Sequence, residues 1–446
     1  MTAPQRAAPE PPVPAPAVAE LAVTGLGLVT AAGQDGRSTW EGVNAGCGLA
    51  ARDPLLQGLD TDFSCAVVDW KPQAELGRVL SRRLDRPAQM AMVAAREAVE
   101  QAGLPPSLRG GPRLAVLIGA GTASFEAVPG VCEKIADGRA GLVPPTSLPR
   151  SLPTSAAAEV ALDLGAQGPV MCPAAACASG AMAIGLAADL LRAGTVDAVL
   201  AGGAESGRSA ISAVSFSQLG ALSTRRADPA AASRPFDAGR DGFVLGEGAG
   251  LMLLERRADA EARGARPLAY LAGHGCATDA HHMVAPHPEG RGLRQALGLC
   301  MTQAGWQPRD VDHVNAHGTG TPLNDAVEAR ALEAVFGAGR VPPVTAAKGA
   351  LGHTMGAGGA IEAALTVLTL HRQTIPPTAN LEELDEAISL DVVARSPRPT
   401  DLRTAVSTSA AFGGHNTALA FRAAERPAPN APGGTAEAAE PAPSVA

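Results

Sequence analysis

The sequence predicts an α/β protein in which helices and buried sheets form layers. Two observations carry this prediction. Short β-rich runs end in glycine, as at 114–119 and 198–203, and the stretches between them have the apolar spacing of amphipathic helices. The helical candidates include 87–102, 179–193 and 326–336. Because the predicted strands are short and end in glycine, the loops at their C-terminal ends are the expected place for chemistry.

The chain is predicted to consist of two α/β halves flanked by tails. A charged helix over 255–266 is followed by a fresh strand at 268–273, which indicates the join between the halves. Both ends of the chain are rich in Ala and Pro, a composition typical of disorder. The predicted organisation is a disordered tail over 1–20, a first half over 21–266, a second half over 267–422 and a disordered tail over 423–446.

Composition excludes several classes of protein. The chain has 446 residues, 46% hydrophobic and 18% charged, and its net charge of −8 argues against a nucleic-acid binder. Its seven cysteines are odd in number and lack metal-ligand spacing, which argues against a disulfide framework and for a cytoplasmic protein. No apolar run approaches the roughly 20 residues of a membrane span, and the N-terminal segment lacks a secretory signal. We therefore expect a soluble enzyme with no membrane contact.

One cysteine stands in a context that suits nucleophilic catalysis. Cys177 lies in 174–180, a run of small residues that leads into a predicted helix. A thiol there has room for a substrate carbonyl and lies near the positive end of the helix dipole, which favours the thiolate. The alternative from this segment alone is a buried structural cysteine, because free cysteine is among the most buried residue types.

The imidazoles lie in the other part of the chain. All nine histidines occur at or beyond His274, so thiol–imidazole chemistry must join the two halves. His317 follows a predicted strand in a loop rich in glycine and threonine. Asp325 and Glu328 come next, three residues apart and therefore on one face of a helix.

A second stretch, 346–360, combines a lysine, a histidine and a glycine-rich run that leads into a helix. Lys348 is one of only three lysines, against thirty-three arginines, and His353 follows five residues later. Taken alone, a histidine or lysine on a loop is more often solvated than catalytic.

Taken together, these segments resemble the β-ketoacyl-acyl carrier protein synthases of the thiolase superfamily, particularly the elongating synthases of dissociated (type II) fatty-acid and polyketide systems. The resemblance runs from about Leu21 to Phe421. Further motifs that carry it lie at 23–27, 201–205, 233–248 and 411–416. The resemblance implies a thiolase-like α-β-α-β-α fold made of two related halves, β-ketoacyl synthase activity, and no metal or redox cofactor.

The family pattern implies a role for each matching residue. Cys177 would be the nucleophile, and His317 with His353 would stabilise the enolate formed when a malonyl thioester loses CO₂. The backbone N–H groups of Cys177 and Phe412 would form an oxyanion hole, and the Phe412 ring would act as a gate. Lys348 would orient the site through hydrogen bonds and a charge network that includes Glu328, with Asp325 nearby. The positions that match pantetheine-contacting or gate-loop residues are Thr319, Thr321, Asp279 and Asn416.

The implied partners are an acyl carrier protein and a second synthase-like subunit. The carrier is acidic, so basic residues are expected at the entrance. The candidates are Arg82, Arg83, Arg86 and Arg225, with Arg226 beside them. A solvated helix end is the alternative for any one of them. The second subunit would be another copy of the chain or a homologous chain-length factor.

Departures from the family pattern bear on the pathway. Gly220 replaces a common arginine, 410–411 is Ala-Ala where Phe-Gly is frequent, and Val284 replaces a threonine. At 151–155 small residues stand where relatives tend to place bulky aromatics that line the acyl pocket across the dimer, which implies room for a longer or stiffer chain, such as a polyene. We therefore favour the catalytic ketosynthase of a type II polyketide synthase over a housekeeping fatty-acid synthase. A thiolase or a non-catalytic chain-length subunit fits less well, since Lys348 and His353 stand in the later motif and the nucleophile is present.

Overall fold

The computed structural model describes residues 19–122 and 127–424. The predicted disordered tails fall mostly on residues 1–18 and 425–446, which lie outside the described residues. Glu20, by contrast, is described and pairs with Arg422 and Arg257, and Ala423 belongs to a strand. The folded region therefore extends slightly beyond both predicted tail boundaries.

Ten strands of the described residues form one continuous β-sheet. We label them β1 to β10: Leu21–Thr30, Leu114–Gly119, Val170–Met171, Ala198–Ser206, Glu247–Arg256, Ala269–Thr278, His313–Asn315, Val344–Thr345, Thr404–Ala411 and His415–Ala423. Their order across the sheet is β8-β7-β9-β10-β6-β1-β5-β4-β2-β3. Two short two-stranded sheets, Ala51–Arg52 with Phe63–Ser64 and Thr374–Ile375 with Arg398–Pro399, lie apart.

The strand order reveals two halves with the same topology. In each half the third strand lies at the outside, followed by the second, fourth, fifth and first strands. The two first strands, β1 and β6, meet over only three residue pairs, Leu21–Val23 with Ala269–Leu271. The two five-stranded sheets are thus joined along a short seam, and the chain passes from one to the other between Arg256 and Ala269.

The helices complete a layered arrangement. They are α1 to α13: Gly36–Asn44, Pro72–Arg83, Arg86–Ala102, Ala127–Ala136, Ser147–Ser151, Ser155–Leu164, Ser179–Arg192, Ala210–Gln218, Arg257–Ala262, Arg291–Ala304, Pro322–Phe336, Lys348–Leu351 and Gly358–Arg372. Helices α3 and α6 pack on the first sheet, and α10 packs on the second with α11 beside it. Helices α7 and α13 contact strands of both sheets, so they form the middle layer.

Glycines let the outer layer approach the first sheet closely. All ten residues of β1 are buried, as expected for a strand covered on both faces. A Cβ atom at Gly25 would lie 1.9 Å from the carbonyl oxygen of Ala98, and one at Gly27 would lie 1.8 Å from that of Ala94. Any side chain at these positions would push α3 away from the sheet.

The predicted strands and helices are present, some with shifted ends, but the prediction of a helix over 255–266 is wrong over half of its length. The helix predicted over 255–266 is only Arg257–Ala262, because Glu255 belongs to β5, where it is buried and paired with Arg263. Strand β6 is longer than the predicted 268–273 and runs on to Thr278. Within the described residues, no helix has the length and apolarity that crossing a membrane requires.

Candidate active site

The two halves meet at a cavity of about 300 Å³ whose lining includes Cys177, His317 and His353. The Nε2 atom of His353 is 3.0 Å from the sulfur of Cys177. The rings of His317 and His353 are 5.5 Å apart between centroids and nearly perpendicular, at 84°. The thiol of the first half and the two imidazoles of the second half therefore share one site.

A tight turn presents the thiol at the start of the central helix α7. Ala176, the residue before Cys177, has a φ of 47°, a left-handed conformation that is uncommon for a residue other than glycine. The hydroxyl of Ser179 stabilises the turn, since it accepts from the Ala175 N–H and donates to the Ala176 carbonyl. The strained turn places Cys177 just outside the helix, facing the cavity.

Burial decides the protonation of the thiol at rest. Burial raises the pKa of Cys177 to about 12, although the ammonium of Lys348 opposes the shift. The helix end was expected to favour the thiolate, but the cost of placing a charge in this environment is the larger effect. The thiol therefore holds its proton until a substrate arrives, and His353 is the base within hydrogen-bond distance.

The backbone of the first half fixes the position of His353. Its N–H donates to the Val244 carbonyl at 2.7 Å, and its carbonyl accepts from the Gly246 N–H at 2.9 Å. Its Nδ1 atom is buried and has no hydrogen-bond partner among the described residues. The ring of Phe243 packs edge-on against the imidazole, with centroids 5.1 Å apart.

Lys348 determines which nitrogen of His317 carries the proton. Its buried ammonium donates to the His317 carbonyl at 2.6 Å and lies 3.2 Å from His317 Nδ1. An ammonium can only donate, so Nδ1 must accept and the proton must sit on Nε2. This arrangement makes His317 Nε2 a hydrogen-bond donor toward the cavity.

The carboxylate that pairs with Lys348 is Glu362, and Glu328 enters the charge network through its effect on Glu362. Lys348 Nζ forms a buried ion pair with Glu362 at 2.5 Å. Glu328 instead accepts from the backbone N–H groups of His317 and Gly318, at 2.7 and 2.8 Å, and so holds the histidine loop. Helix α13 brings Glu362 to the ammonium, while α11 directs Glu328 to the backbone of the histidine loop.

Asp325 and Glu328 both support loops, and neither reaches the thiol directly. Asp325 accepts from the N–H groups of Phe236 and Gly320, at 2.8 and 3.2 Å. Sequence reasoning missed Glu362, although it is the only charged residue of the apolar stretch 358–370. A lone carboxylate on a helix that is otherwise apolar was the available signal.

Both histidines are neutral in this environment. Burial lowers the pKa of His317 well below its usual range, and the charge of Lys348 adds to the effect. Burial and the same ammonium lower the pKa of His353. Burial also raises the pKa of Glu362 to about 7, with Lys348 opposing. The cavity thus offers two neutral imidazoles and excludes an imidazolium at rest.

The predicted gate residue, Phe412, lines the cavity. Phe412 is in a short turn that packs against Phe216, with ring centroids 6.0 Å apart. The turn is tied to the facing loop, because Gly413 donates to the Met283 carbonyl at 2.7 Å and Asp279 donates its N–H to the Gly414 carbonyl at 2.8 Å. A substitution that moves one of these two loops would therefore also move the other.

The other predicted contact residues also border the cavity: Thr319, Thr321, Asp279 and Asn416. The hydroxyl groups of Thr319 and Thr321 are 3.0 Å apart, and Asn416 Nδ2 donates to Asp279 Oδ1 at 3.3 Å. Gly220, Val284 and the pair 410–411, where the chain departs from the family pattern, line the same cavity. Leu152, Pro153 and Ser155 line a separate space of about 40 Å³, and Ser151 lines another of about 440 Å³. The extra room at 151–155 stays a prediction, because it concerns a pocket that a second subunit would complete.

The structure separates the predicted docking arginines into two kinds. Arg82, Arg83 and Arg225 are exposed, and Arg83 pairs with Glu159. Arg86 does not fit a docking role. Its guanidinium binds the buried carboxylate of Glu247 through two hydrogen bonds of 2.6 and 2.7 Å. The sequence could not show this, because the partner lies 161 residues away.

Within residues 19–122 and 127–424, no group of three or more His, Cys, Asp or Glu side chains is arranged to hold a metal ion. The reactive groups that line or support the cavity are the thiol, the two imidazoles and the Lys348–Glu362 ion pair. A thiol that can be acylated beside two imidazole donors suits an enzyme that joins acyl units, and the repeated five-stranded halves suit the thiolase-like class of such enzymes.

Sequence comparisons agree with this class of enzyme and identify the family within it. The chain matches the N-terminal domain of β-ketoacyl synthase over residues 19–260 and its C-terminal domain over residues 268–382. It is 41% identical over 405 residues to 3-oxoacyl-[acyl-carrier-protein] synthase 2 of Mycobacterium bovis, covering 90% of this chain and 96% of the relative. It is 37% identical over 406 residues to the Staphylococcus aureus enzyme of the same name, covering 90% and 100%. The chain belongs to the β-ketoacyl synthase family, whose members are condensing acyltransferases.

Solved structures confirm the predicted thiolase-like fold. A β-ketoacyl synthase from Burkholderia phymatum superposes with a TM-score of 0.86 at 33% identity, covering 91% of this chain and all 100% of the other. The ishigamide ketosynthase/chain length factor gives 0.85 at 31% identity, covering 92% and 100%. A type II polyketide ketosynthase with its acyl-carrier protein, bound to the hexaketide, gives 0.84 at 29% identity, covering 91% and 100%.

Proposed function

We propose that this β-ketoacyl synthase uses Cys177, His317 and His353 to condense an acyl group with malonyl-acyl carrier protein. The observation that carries the proposal is the 3.0 Å contact between His353 Nε2 and the Cys177 sulfur, with His317 facing the same cavity. Substrates would arrive on the phosphopantetheine arm of the carrier, and the chemistry would need no further cofactor.

The first step is acyl loading. As a carrier-bound thioester approaches, the thiol proton of Cys177 moves to His353 and the sulfur attacks the acyl carbonyl. Backbone N–H groups of Cys177 and Phe412 would hold the oxyanion. The bond to the pantetheine sulfur breaks, His353 returns the proton to that sulfur, and the free carrier leaves. The exchange of one thioester for another is nearly isoenergetic.

The second step is decarboxylation and carbon–carbon bond formation. Malonyl carrier protein loses CO₂, and the electrons of the broken bond form an enolate. Its oxygen would accept from His317 Nε2 and from His353 Nε2, which carries the proton of the neutral ring once Cys177 is acylated and no longer donates to it. Each such donor is worth roughly 2.7–4 kcal/mol of barrier. The enolate carbon attacks the acyl–Cys177 carbonyl, the carbon–sulfur bond breaks, and the Cys177 thiolate takes up a proton that comes from solvent. The product is a β-ketoacyl thioester on the carrier.

Three buried groups would position this machinery. Lys348 fixes the tautomer of His317, Glu362 balances the ammonium, and Glu328 holds the backbone of the histidine loop. Thr319, Thr321, Asp279 and Asn416 border the path that a pantetheine arm would take to Cys177. Their roles follow from position, since none of them contacts the thiol.

We assign docking of the carrier to the exposed arginines Arg82, Arg83 and Arg225, and leave Arg86 out. The second subunit is another copy of this chain or a chain-length factor, as in the ishigamide ketosynthase/chain length factor. A cytoplasmic location fits both arrangements.

Two biosynthetic pathways fit this chemistry, polyketide synthesis and fatty-acid elongation. We favour the ketosynthase subunit of a type II polyketide synthase, because the positions that depart from the family pattern, Gly220, Val284 and 410–411, all line the cavity. The alternative is a housekeeping fatty-acid elongation synthase, and the relatives at 37–41% identity carry the name 3-oxoacyl-[acyl-carrier-protein] synthase 2. Purification with native partners and analysis of the product would separate the two, since a heterodimer that releases a poly-β-keto chain excludes the alternative.

Acyl loading tests the chemistry directly. Intact-mass measurement after incubation with acyl carrier protein should show an acyl adduct on the wild-type chain and none on Cys177→Ala. A Cys177→Ala chain that still loads would contradict the assignment. Condensation of acetyl-CoA with itself in the absence of carrier protein would point to a thiolase instead.

A further inference from the structure

The buried side chain of Glu205 lies between the two halves of the chain, beside the active site but outside its cavity. Glu205 stands at the C-terminal end of β4 and is 4% exposed. It does not belong to the described residues that line the cavity of Cys177. Because burying a carboxylate is unfavourable unless its oxygens accept hydrogen bonds, the groups that bind Glu205 indicate what it does.

Both oxygens of Glu205 accept hydrogen bonds from backbone segments, and the segments belong to opposite halves. Oε2 accepts from the Gly121 N–H at 2.9 Å and from the Gly356 N–H at 2.6 Å. Oε1 accepts from the Thr122 N–H at 2.8 Å and from the Thr122 hydroxyl. Burial raises the pKa of Glu205, and these four hydrogen bonds oppose that shift. The carboxylate therefore links the segment that follows β2 in the first half to the turn that precedes α13 in the second.

The first linked segment packs against the turn that presents the thiol. A Cβ atom at Gly121 would lie 3.0 Å from the carbonyl oxygen of Ala176, the residue directly before Cys177. The same Cβ atom would lie 3.1 Å from Oε2 of Glu205. Gly121 thus has the strained turn on one side and the carboxylate on the other, so a shift of this segment would reach the thiol through backbone contacts.

The second linked segment follows the imidazole. Gly356 comes three residues after His353, and Met355 between them has a φ of 50°, which is strained for a residue other than glycine. The turn also touches the first half directly, since a Cβ atom at Gly203 in β4 would lie 2.8 Å from the Gly356 carbonyl oxygen. The hydrogen bond from Gly356 to Glu205 fixes the direction of this close contact and so holds the turn after His353.

We propose that Glu205 is a positioning residue that sets the contact between Cys177 and His353 across the two halves. The inference rests on the proposed function, because it concerns the thiol–imidazole pair that accepts the acyl group. Glu205 acts through the backbone on each side. Without the carboxylate, the amides of the two segments lose their shared acceptor, and the 3.0 Å separation between His353 Nε2 and the sulfur is no longer held. A displacement of about 1 Å in a reacting pair can slow a reaction roughly 100-fold.

The test is the rate constant for acyl transfer from acyl carrier protein to Cys177 in the full chain, followed by intact mass over time. Glu205→Gln keeps the size of the side chain but turns an NH₂ group toward backbone donors. It should lower the rate constant roughly 10- to 100-fold, while the fraction of chains finally acylated stays that of the wild type. A merely structural role would lower that final fraction and leave the rate constant of the remaining chains unchanged. A wild-type rate constant in Glu205→Gln would overturn the proposal.

Two further variants complete the comparison. Glu205→Asp keeps the charge and both acceptor oxygens on a shorter side chain and should give an intermediate rate constant. If Glu205→Gln does not fold, a wild-type rate constant in Glu205→Asp would overturn the proposal by itself. The matched control is Glu97→Gln, because Glu97 also accepts from two backbone N–H groups, those of Leu28 and Gly36, and lies outside the cavity lining. Its rate constant should equal that of the wild type.

A double-mutant comparison tests whether Glu205 acts through the thiol–imidazole contact. His353→Ala removes that contact, so adding Glu205→Gln to it should slow loading by no more than about two-fold further. An equal fold-loss in both backgrounds would mean that Glu205 acts elsewhere. The wild-type reaction separates this inference from the proposed function. A wild-type chain that gains no adduct on Cys177 contradicts the proposed function, whereas normal loading in both the wild type and Glu205→Gln removes only the role of Glu205.

Discussion

At the scale of single residues, the sequence indicated the importance of Lys348 but not the identity of its carboxylate partner. Lys348 stood out because the sequence has only three lysines. Its partner Glu362 did not, because local sequence shows one carboxylate in a helix and nothing of what faces it. Lys348 and Glu362 meet because α12 and α13 pack together in the folded protein. The sequence alone does not predict that contact.

Removing the carboxylate of Glu362 should destabilise the protein strongly. Glu362→Ala would leave the Lys348 ammonium buried without its counter-charge, a change that costs about 3–5 kcal/mol. Glu362→Gln keeps an oxygen that can accept from the ammonium and should cost clearly less. Urea denaturation of the three proteins measures the difference. Equal losses in the two variants would mean that packing, and not the ion pair, determines the effect.

The two histidines should divide the reaction unequally. The family pattern assigns His353 with His317 to the enolate, and the contact with Cys177 implicates His353 in acyl loading as well. His317→Ala should therefore lower malonyl decarboxylation about 10²–10³-fold while leaving acyl loading nearly intact. His353→Ala should slow both. Parallel assays of CO₂ release and acyl adduct would decide, and equal losses in His317→Ala would contradict the division.

At the scale of elements, helices with local signals were predicted well. The helix predicted over 87–102 is Arg86–Ala102, because Asp85 caps it through its carboxylate and Gly103 ends it in a left-handed conformation. The prediction of a helix over 255–266 was wrong at its ends, because its charges suggested the solvated surface of a helix. Glu255 is instead buried in a strand and forms an ion pair with Arg263. Charge pattern alone does not distinguish a solvated face from a buried pair.

The arginines at the α2–α3 junction should behave differently on substitution. Arg86→Ala should lower the free energy of unfolding, since it leaves the fully buried Glu247 carboxylate with one guanidinium partner fewer. Arg82→Ala should leave stability unchanged and raise the KM for carrier protein several-fold. Denaturation curves and steady-state kinetics on both variants provide the comparison. A normal KM in Arg82→Ala with an unaltered fold would remove this segment from the docking surface.

At the scale of the whole molecule, the two halves depend on each other. The sequence shows no repeat by identity, and the relation appears only in the shared strand order of the two sheets. The largest core cluster contains residues from both halves, from Leu21 in β1 to Phe421 in β10, with α7 and α13 between them. The active site depends on the same contact, because its thiol and imidazoles come from opposite sides of it.

This shared core predicts that the two halves unfold together. Trp70 packs against a cluster of the first half, and Trp306 packs against a cluster formed mainly by the second. Trp40 packs against the shared cluster and is replaced by Phe in both probes. One variant keeps only Trp70 and the other keeps only Trp306. Their fluorescence transitions in urea should have the same midpoint, because neither half can lose its packing against the central helices without exposing the other. Separate midpoints would show that the seam between β1 and β6 divides the protein into independent folding units.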